Sequence, residues 1–150
     1  MPLLRSLCAA LLVVLASCAD SPTAAPVRGS MTAALDATPW RGSATVAIYR
    51  DTMHLWSTRT GPKEQHVRAS VAFTGPGRYT LEGKATEYQE TLGGDILSYR
   101  ALGTGGTLVV TSYDAARGEM TGTLTFSASG SRGTVNFVGG EFVAEVGLIP

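Results

Sequence analysis

From residue 31 onward, apolar and polar side chains alternate one for one rather than with a helical period. The clearest run is 119–128, where Met120, Gly122, Leu124, Phe126 and Ala128 share one face and Thr121, Thr123, Thr125 and Ser127 the other. Successive side chains leave a pleated backbone on opposite sides, so a period of two with β-branched threonines outside predicts a strand with one wet face. Val67, Ala69, Val71 and Phe73 alternate in the same way with His66, Arg68 and Ser70. Phe142, Ala144, Val146 and Leu148 alternate against Glu141 and Glu145. Further strands are predicted over residues 31–35, 43–50, 53–59, 78–82, 85–89, 96–101, 107–113 and 133–138.

The breaks between these runs carry turn chemistry. Asp51-Thr52 is expected to close a tight hairpin, and residues 114–118 (DAARG) a longer one. Val138-Gly139-Gly140 is expected to join the last two strands. Gly103-Thr104-Gly105-Gly106 reads as a turn and not a phosphate cradle, because a phosphate loop opens a helix and this run opens a strand. No window carries a sustained stripe of 3.6-residue period. The predicted class is therefore all-β, a single antiparallel β-sandwich or flattened barrel of about ten short strands following a cleaved signal peptide.

The N-terminus follows a different logic. Arg5 supplies a positive start, residues 7–15 an apolar run, and Leu15-Ala16-Ser17-Cys18 reads as a bacterial lipobox. The apolar run is too short to cross a bilayer, which takes about 20 residues. Residues 1–17 are thus expected to be a lipoprotein signal peptide, with Cys18 the site of lipid attachment. Each buried methylene contributes roughly 0.8 kcal/mol, and the several acyl chains of such an anchor hold where one alone binds only marginally. Residues 18–30, rich in Ala, Pro, Ser and Thr, read as a tether, and residues 31–150 as the β domain. Ala19 after the cysteine points to the outer membrane under proteobacterial sorting rules, so the expected location is the cell envelope.

Cys8 lies in the leader, which leaves Cys18 as the one cysteine of the mature chain. The folded domain then has no disulfide, no thiol nucleophile and no cysteine metal site; its hydrophobic core must hold it. Of the 12 basic residues only Arg5 is removed with the leader, against 12 acidic residues that all remain. That balance lacks the basic footprint of a nucleic-acid binder.

Candidate chemistry is sparse. His54 and His66 are the only histidines, and a zinc site needs three or four ligands. Serines are plentiful, but no Gly-x-Ser-x-Gly elbow is present. Glu82, Glu87, Glu90 and Asp95 cluster around Tyr88, where strand-edge solvation accounts for them better than paired-carboxylate hydrolysis does. Asp114 and Glu119 flank a loop without the Asp-rich spacing of a calcium site. No metal or other cofactor is expected. Among the aromatic residues, Trp40, Tyr79 and Phe126 are assigned to the core. Trp56 and Tyr49 are the best outward-facing candidates for ligand contact, with Tyr49 on the face of Thr45 and Ala47 and opposite Val46 and Ile48.

The order of motifs resembles a family of uncharacterised β-sheet lipoprotein domains common in Bacteroidetes-type bacteria. The segments that carry the resemblance are Met31-Thr32-Ala33-Ala34-Leu35-Asp36 with Pro39-Trp40, Gly75-Pro76-Gly77-Arg78-Tyr79-Thr80-Leu81, and Gly106-Thr107-Leu108-Val109-Val110-Thr111-Ser112-Tyr113-Asp114. The run Met120–Ala128 and the closing Gly140-Glu141-Phe142 are similar as well. Ala37 departs from the family, where a glycine follows the aspartate. Because alanine avoids positive φ, another type of opening turn is expected. The resemblance implies no activity and no catalytic residue. The functional expectation is a non-enzymatic envelope module, anchored in the bilayer through Cys18, that contacts a glycan, a small apolar ligand or another envelope protein. The alternatives are an inhibitor or chaperone-like accessory acting through edge strands, and a small hydrolase.

Overall fold

The structure, a computed structural model, describes residues 26–83 and 85–148. The expected signal peptide and Cys18 lie outside the described residues. Those described form ten strands and no helix: β1 (Ser30–Leu35), β2 (Thr38–Ser43), β3 (Thr45–Tyr49), β4 (Thr52–Arg59), β5 (Gln65–Ala72), β6 (Gly77–Leu81), β7 (Thr86–Leu92), β8 (Asp95–Asp114), β9 (Glu119–Gly130) and β10 (Gly133–Leu148).

Their pairings run β10-β3-β4-β5-β7-β8, and β9 then pairs with both β8 and β10. The ladder closes on itself, so of the two expected architectures the flattened barrel describes it. Every junction is antiparallel except β10–β3, which is parallel from Glu145↔Thr45 to Leu148↔Ile48. The hairpin β1–β2 extends the sheet from β10, and β6 pairs with β8, leaving β5 to pair with β7.

Two expected connections are strand interior. Residues 96–101 and 107–113 belong to one 20-residue strand, β8, with a register shift between Ala101 and Gly106. Val138-Gly139-Gly140 is likewise a bulge inside β10, between Phe137 and Gly140. Gly103 (φ 52°) and Gly139 (φ 60°) take left-handed backbone that lets each strand kink and continue. A bulge and a turn share this glycine chemistry, and only the pairing partner distinguishes them. β2 (TPWRGS) was not anticipated, having too few apolar residues to show alternation.

The hairpin between β3 and β4 turns on Arg50-Asp51, one residue earlier than expected, with Tyr49 paired to Thr52. Arg50 and Asp51 have φ of 45° and 60°, and Asp36 and Ala37 in the β1–β2 turn 46° and 64°. Positive φ at both central residues is the primed turn whose twist matches the flanking strands. The expectation that Ala37 would impose another turn type is overturned. Asn136 holds that turn in place: its backbone N–H and Nδ2 donate to Asp36 Oδ1 at 2.8 and 3.3 Å, while Asp36 N donates to Asn136 O at 2.9 Å.

The interior is filled. Met53 and Leu55 of β4, Val67 and Ala69 of β5, Tyr88 of β7, Leu108 of β8, Leu124 and Phe126 of β9, and Phe137 and Phe142 of β10 are all buried. Trp40 is packed edge-on against Phe137 (5.2 Å), which stacks on Phe126 (5.4 Å). The indole N–H of Trp40 donates to Gln65 Oε1 at 3.0 Å, so the buried ring keeps its polar atom satisfied. Tyr79, assigned to the core from sequence, is only half-buried; it sits with Phe73 and donates its hydroxyl hydrogen to Gly75 O.

Candidate functional site

Strand alternation decides what the β4–β5–β7 wall shows to solvent. In β4, Met53, Leu55 and Ser57 point inward, which leaves His54, Trp56 and Thr58 outside. In β5, Gln65, Val67, Ala69 and Val71 are inward, which leaves His66, Arg68 and Ser70 outside. Register then sets the neighbours. Trp56 lies opposite Arg68, and Arg68 opposite Glu87; Thr58 lies opposite His66, and His66 opposite Gln89. Residues 8 to 33 positions apart thereby meet on one outer face.

The face is well ordered by its own contacts. The imidazole of His54 stacks on the Trp56 indole, with centroids 5.5 Å apart and planes at 23°, and His54 Nδ1 meets Ser70 Oγ at 2.8 Å. Arg68 donates to Glu87 Oε2 at 2.8 Å, and Gln89 Nε2 donates to Glu87 Oε1 at 3.1 Å. Gln89 Nε2 also reaches Ser98 Oγ on β8 at 3.2 Å. The Glu87 side chain is only 13% exposed, so these donors compensate a largely desolvated carboxylate. Between Trp56, Thr58, His66, Arg68, Glu87 and Gln89 lies a depression of about 220 Å³. That is below the roughly 300–1,000 Å³ of sites that engulf a drug-sized ligand, so it suits one ring of a larger molecule.

The two sequence-predicted contacts are not brought together. Tyr49 is on the outer face, as its parity predicts, and is exposed, but it pairs with Thr52 at the far end of β3. Trp56 is four residues further along β4, roughly 13 Å by strand rise. Arg50 Cζ sits 5.1 Å from the centre of the Tyr49 ring, occupying one of its faces. Trp56 has different companions: Thr58 and Gln89 escaped the sequence reading, Arg68 is placed by parity alone, and Glu87 reads from sequence as strand-edge charge and not as a partner of Trp56. Counting back from the β4–β5 loop could have found Thr58 and Arg68, whereas the pairing of β5 with β7 across β6 leaves no local signal.

The remaining candidates separate. His66 Nδ1 meets Thr58 Oγ1 at 3.1 Å and its Nε2 lies 3.5 Å from Glu64 Oε1, a hydroxyl–imidazole–carboxylate order. Both His66 and Glu64 are about half exposed, however, and in water such a pair gains little. Among the described residues no three histidines, cysteines or carboxylates are grouped to hold a metal ion. Glu87 faces outward, whereas Glu90 accepts a bond from the buried Tyr88 hydroxyl at 3.3 Å. Burial, and then the charge of Glu90, raise the ionisation of Tyr88 well above the usual phenolic range and raise that of Tyr99 as well. Asp114 Oδ1 accepts from the backbone N–H groups of Ala116 and Arg117, both at 3.0 Å, so it shapes its hairpin loop.

Fold and face together define a small all-β barrel whose one aromatic-polar wall is built from three strands. Comparison of the chain with protein-family models, curated proteins and solved structures gave no match.

Proposed function

We propose that this chain is a membrane-anchored envelope lipoprotein and a non-enzymatic binding module, with a glycan as the ligand of the β4–β5–β7 wall. The observation that carries the reading is the Trp56 ring, backed on one side by His54 and bordering a depression rimmed by hydroxyl, amide, guanidinium and carboxylate groups. The apolar C–H face of a pyranose packs on an aromatic plane, while its hydroxyls need both donors and acceptors around the edge. Arg68, Glu87 and Gln89 supply both and are already held in place by bonds to each other.

A small apolar ligand fits less well, because Trp40, Tyr88, Phe126, Phe137 and Phe142 already fill the barrel. Action through edge strands also has less support. β2 carries Pro39 and Arg41, and β6 is five residues long with Arg78 on it, both devices that blunt an edge against pairing. The anchor rests on Leu15-Ala16-Ser17-Cys18. Residues 26–29 leave the barrel beside the β8–β9 hairpin, where Arg28 donates to Arg117 O at 3.0 Å and lies 3.5 Å from Glu145.

The test of the ligand is a glycan array probed with full-length protein and with Trp56→Ala. Retention of all glycan binding by Trp56→Ala would refute the site. The anchor is tested by radiolabelled palmitate incorporation and membrane fractionation, both of which Cys18→Ser should abolish.

A further inference from the structure

Resting on that reading of the Trp56 wall, we propose that the glycan is acidic, with Arg59 and Lys63, flanked by Arg41, forming the subsite for its negative group. Two depressions continue the wall beyond Thr58, which borders both the Trp56 depression and the next one. The first, about 410 Å³, is lined by Arg41, Gly42, Ser43, Thr58, Arg59 and Thr60. The second, about 370 Å³, shares Arg59 and Thr60 and adds Lys63 and Gln65. Among the described residues no carboxylate lines either one.

Charge is segregated along this surface. At the stacking position the cation is already matched, Arg68 to Glu87 at 2.8 Å. Glu64, the nearest acidic residue in sequence, is directed to His66 at 3.5 Å. Among the described residues no carboxylate lies within 4 Å of Arg59 or Lys63. This is a local feature and not general basicity, since the chain as a whole carries zero formal charge. Arg59 has the inward parity of Leu55 and Ser57, and its Nη1 donates to Oε1 of the inward-facing Gln65 at 3.5 Å, so its guanidinium sits at the end of the barrel, where Thr60 adds a hydroxyl beside it.

Thr58 is two residues, roughly 7 Å, past Trp56 along β4. A chain of linked pyranose rings can therefore stack one ring on Trp56, pass over Thr58 and turn across the rim of the barrel to present a charged substituent on a following ring to Arg59 and Lys63. Guanidinium and ammonium groups suit a carboxylate or a phosphate ester alike. The shared chemistry is an anionic oligosaccharide.

The experiment is calorimetry on full-length protein in detergent with tetragalacturonate, its fully methyl-esterified neutral counterpart, and a phosphorylated mannose oligomer beside its unphosphorylated form. At low salt at least one acidic oligomer should bind about tenfold more tightly than its neutral partner, and the ratio should shrink as ionic strength rises. The pair showing the larger ratio distinguishes carboxylate from phosphate. Arg59→Gln with Lys63→Gln should bring the ratio close to one, whereas Trp56→Ala should weaken acidic and neutral forms alike. Equal affinity for acid and neutral partner, or a preference that survives the double variant, overturns the acidic ligand and leaves the glycan reading standing. If neither acid nor neutral form binds at all, the glycan reading falls and takes this inference with it.

Discussion

Two walls of the same barrel obey the same alternation and carry very different side chains. Along the second half of β8 and along β9 the outer positions include Thr107, Val109, Thr121, Thr123, Thr125 and Ser127. These are small or β-branched residues that suit a pleated surface, and their hydroxyls bond across strands, as Ser112 with Thr121 and Ser127 with Asn136, both at 2.7 Å. On β4, β5 and β7 the outer positions include Thr58 and Ser70 but also His54, Trp56, His66, Arg68, Glu87 and Gln89, residues that strand propensity does not require. Where a wall departs from what its backbone prefers while its inward face stays regular, the departure marks the surface that does something else. Under the proposed glycan reading, the threonine wall is scaffold and the tryptophan wall is the working face.

The comparison can be broken at its root by Phe137→Ala, which removes a ring packed between Trp40 and Phe126 under both walls. A loss of about 3–5 kcal/mol is expected in denaturant unfolding, with both faces compromised together. Trp56→Ala and Thr123→Ala sharpen it. The first should weaken glycan binding at least tenfold with little change in Tm; the second should leave binding alone and cost only a few tenths of a kcal/mol. Equal binding losses in the two would erase the distinction between walls.

Beneath the working face, the Thr86 hydroxyl is fully buried without a hydrogen-bond partner. Thr86→Val should raise stability by about 1–2 kcal/mol in thermal unfolding, since the desolvation cost of the hydroxyl disappears at nearly constant volume. At the β1–β2 turn, Ala37→Gly should add about 1 kcal/mol by relieving the left-handed alanine, with no effect on ligand binding.

The buried phenols set an alkaline limit. Tyr88 and Tyr99 ionise at higher pH in the fold than in the unfolded chain, so the unfolded state loses protons first. Their contribution is intact below about pH 10, the ordinary phenolic value, and declines as pH climbs past it. Circular dichroism against pH should show unfolding begin on the alkaline side of 10. Stability that stays flat to pH 12 would contradict the burial of Tyr88 and its placement next to Glu90.

Much of the working face was legible from parity alone. Counting by twos placed Trp56 with His54, Arg68 with His66, and Tyr49 opposite Ile48, and each lies where that count puts it. The same count failed on Gly103 and Gly139, because a glycine that breaks alternation looks alike whether the chain reverses or merely bulges. It also failed to join Tyr49 with Trp56, since sharing a face says nothing of distance along it.

Which side chains point inward is a property of each strand by itself: a pleated backbone alternates regardless of its neighbours, and the residue types along it announce the wet side. That much the amino-acid order of this chain determined unaided, together with its all-β character. Which strands lie side by side was left to the tertiary structure. β5 meets β7 and not β6, and β10 bends to meet β3, because pairing minimises unpaired backbone and exposed apolar surface over the whole barrel at once. Trp56, Arg68 and Glu87 owe their adjacency to that global choice.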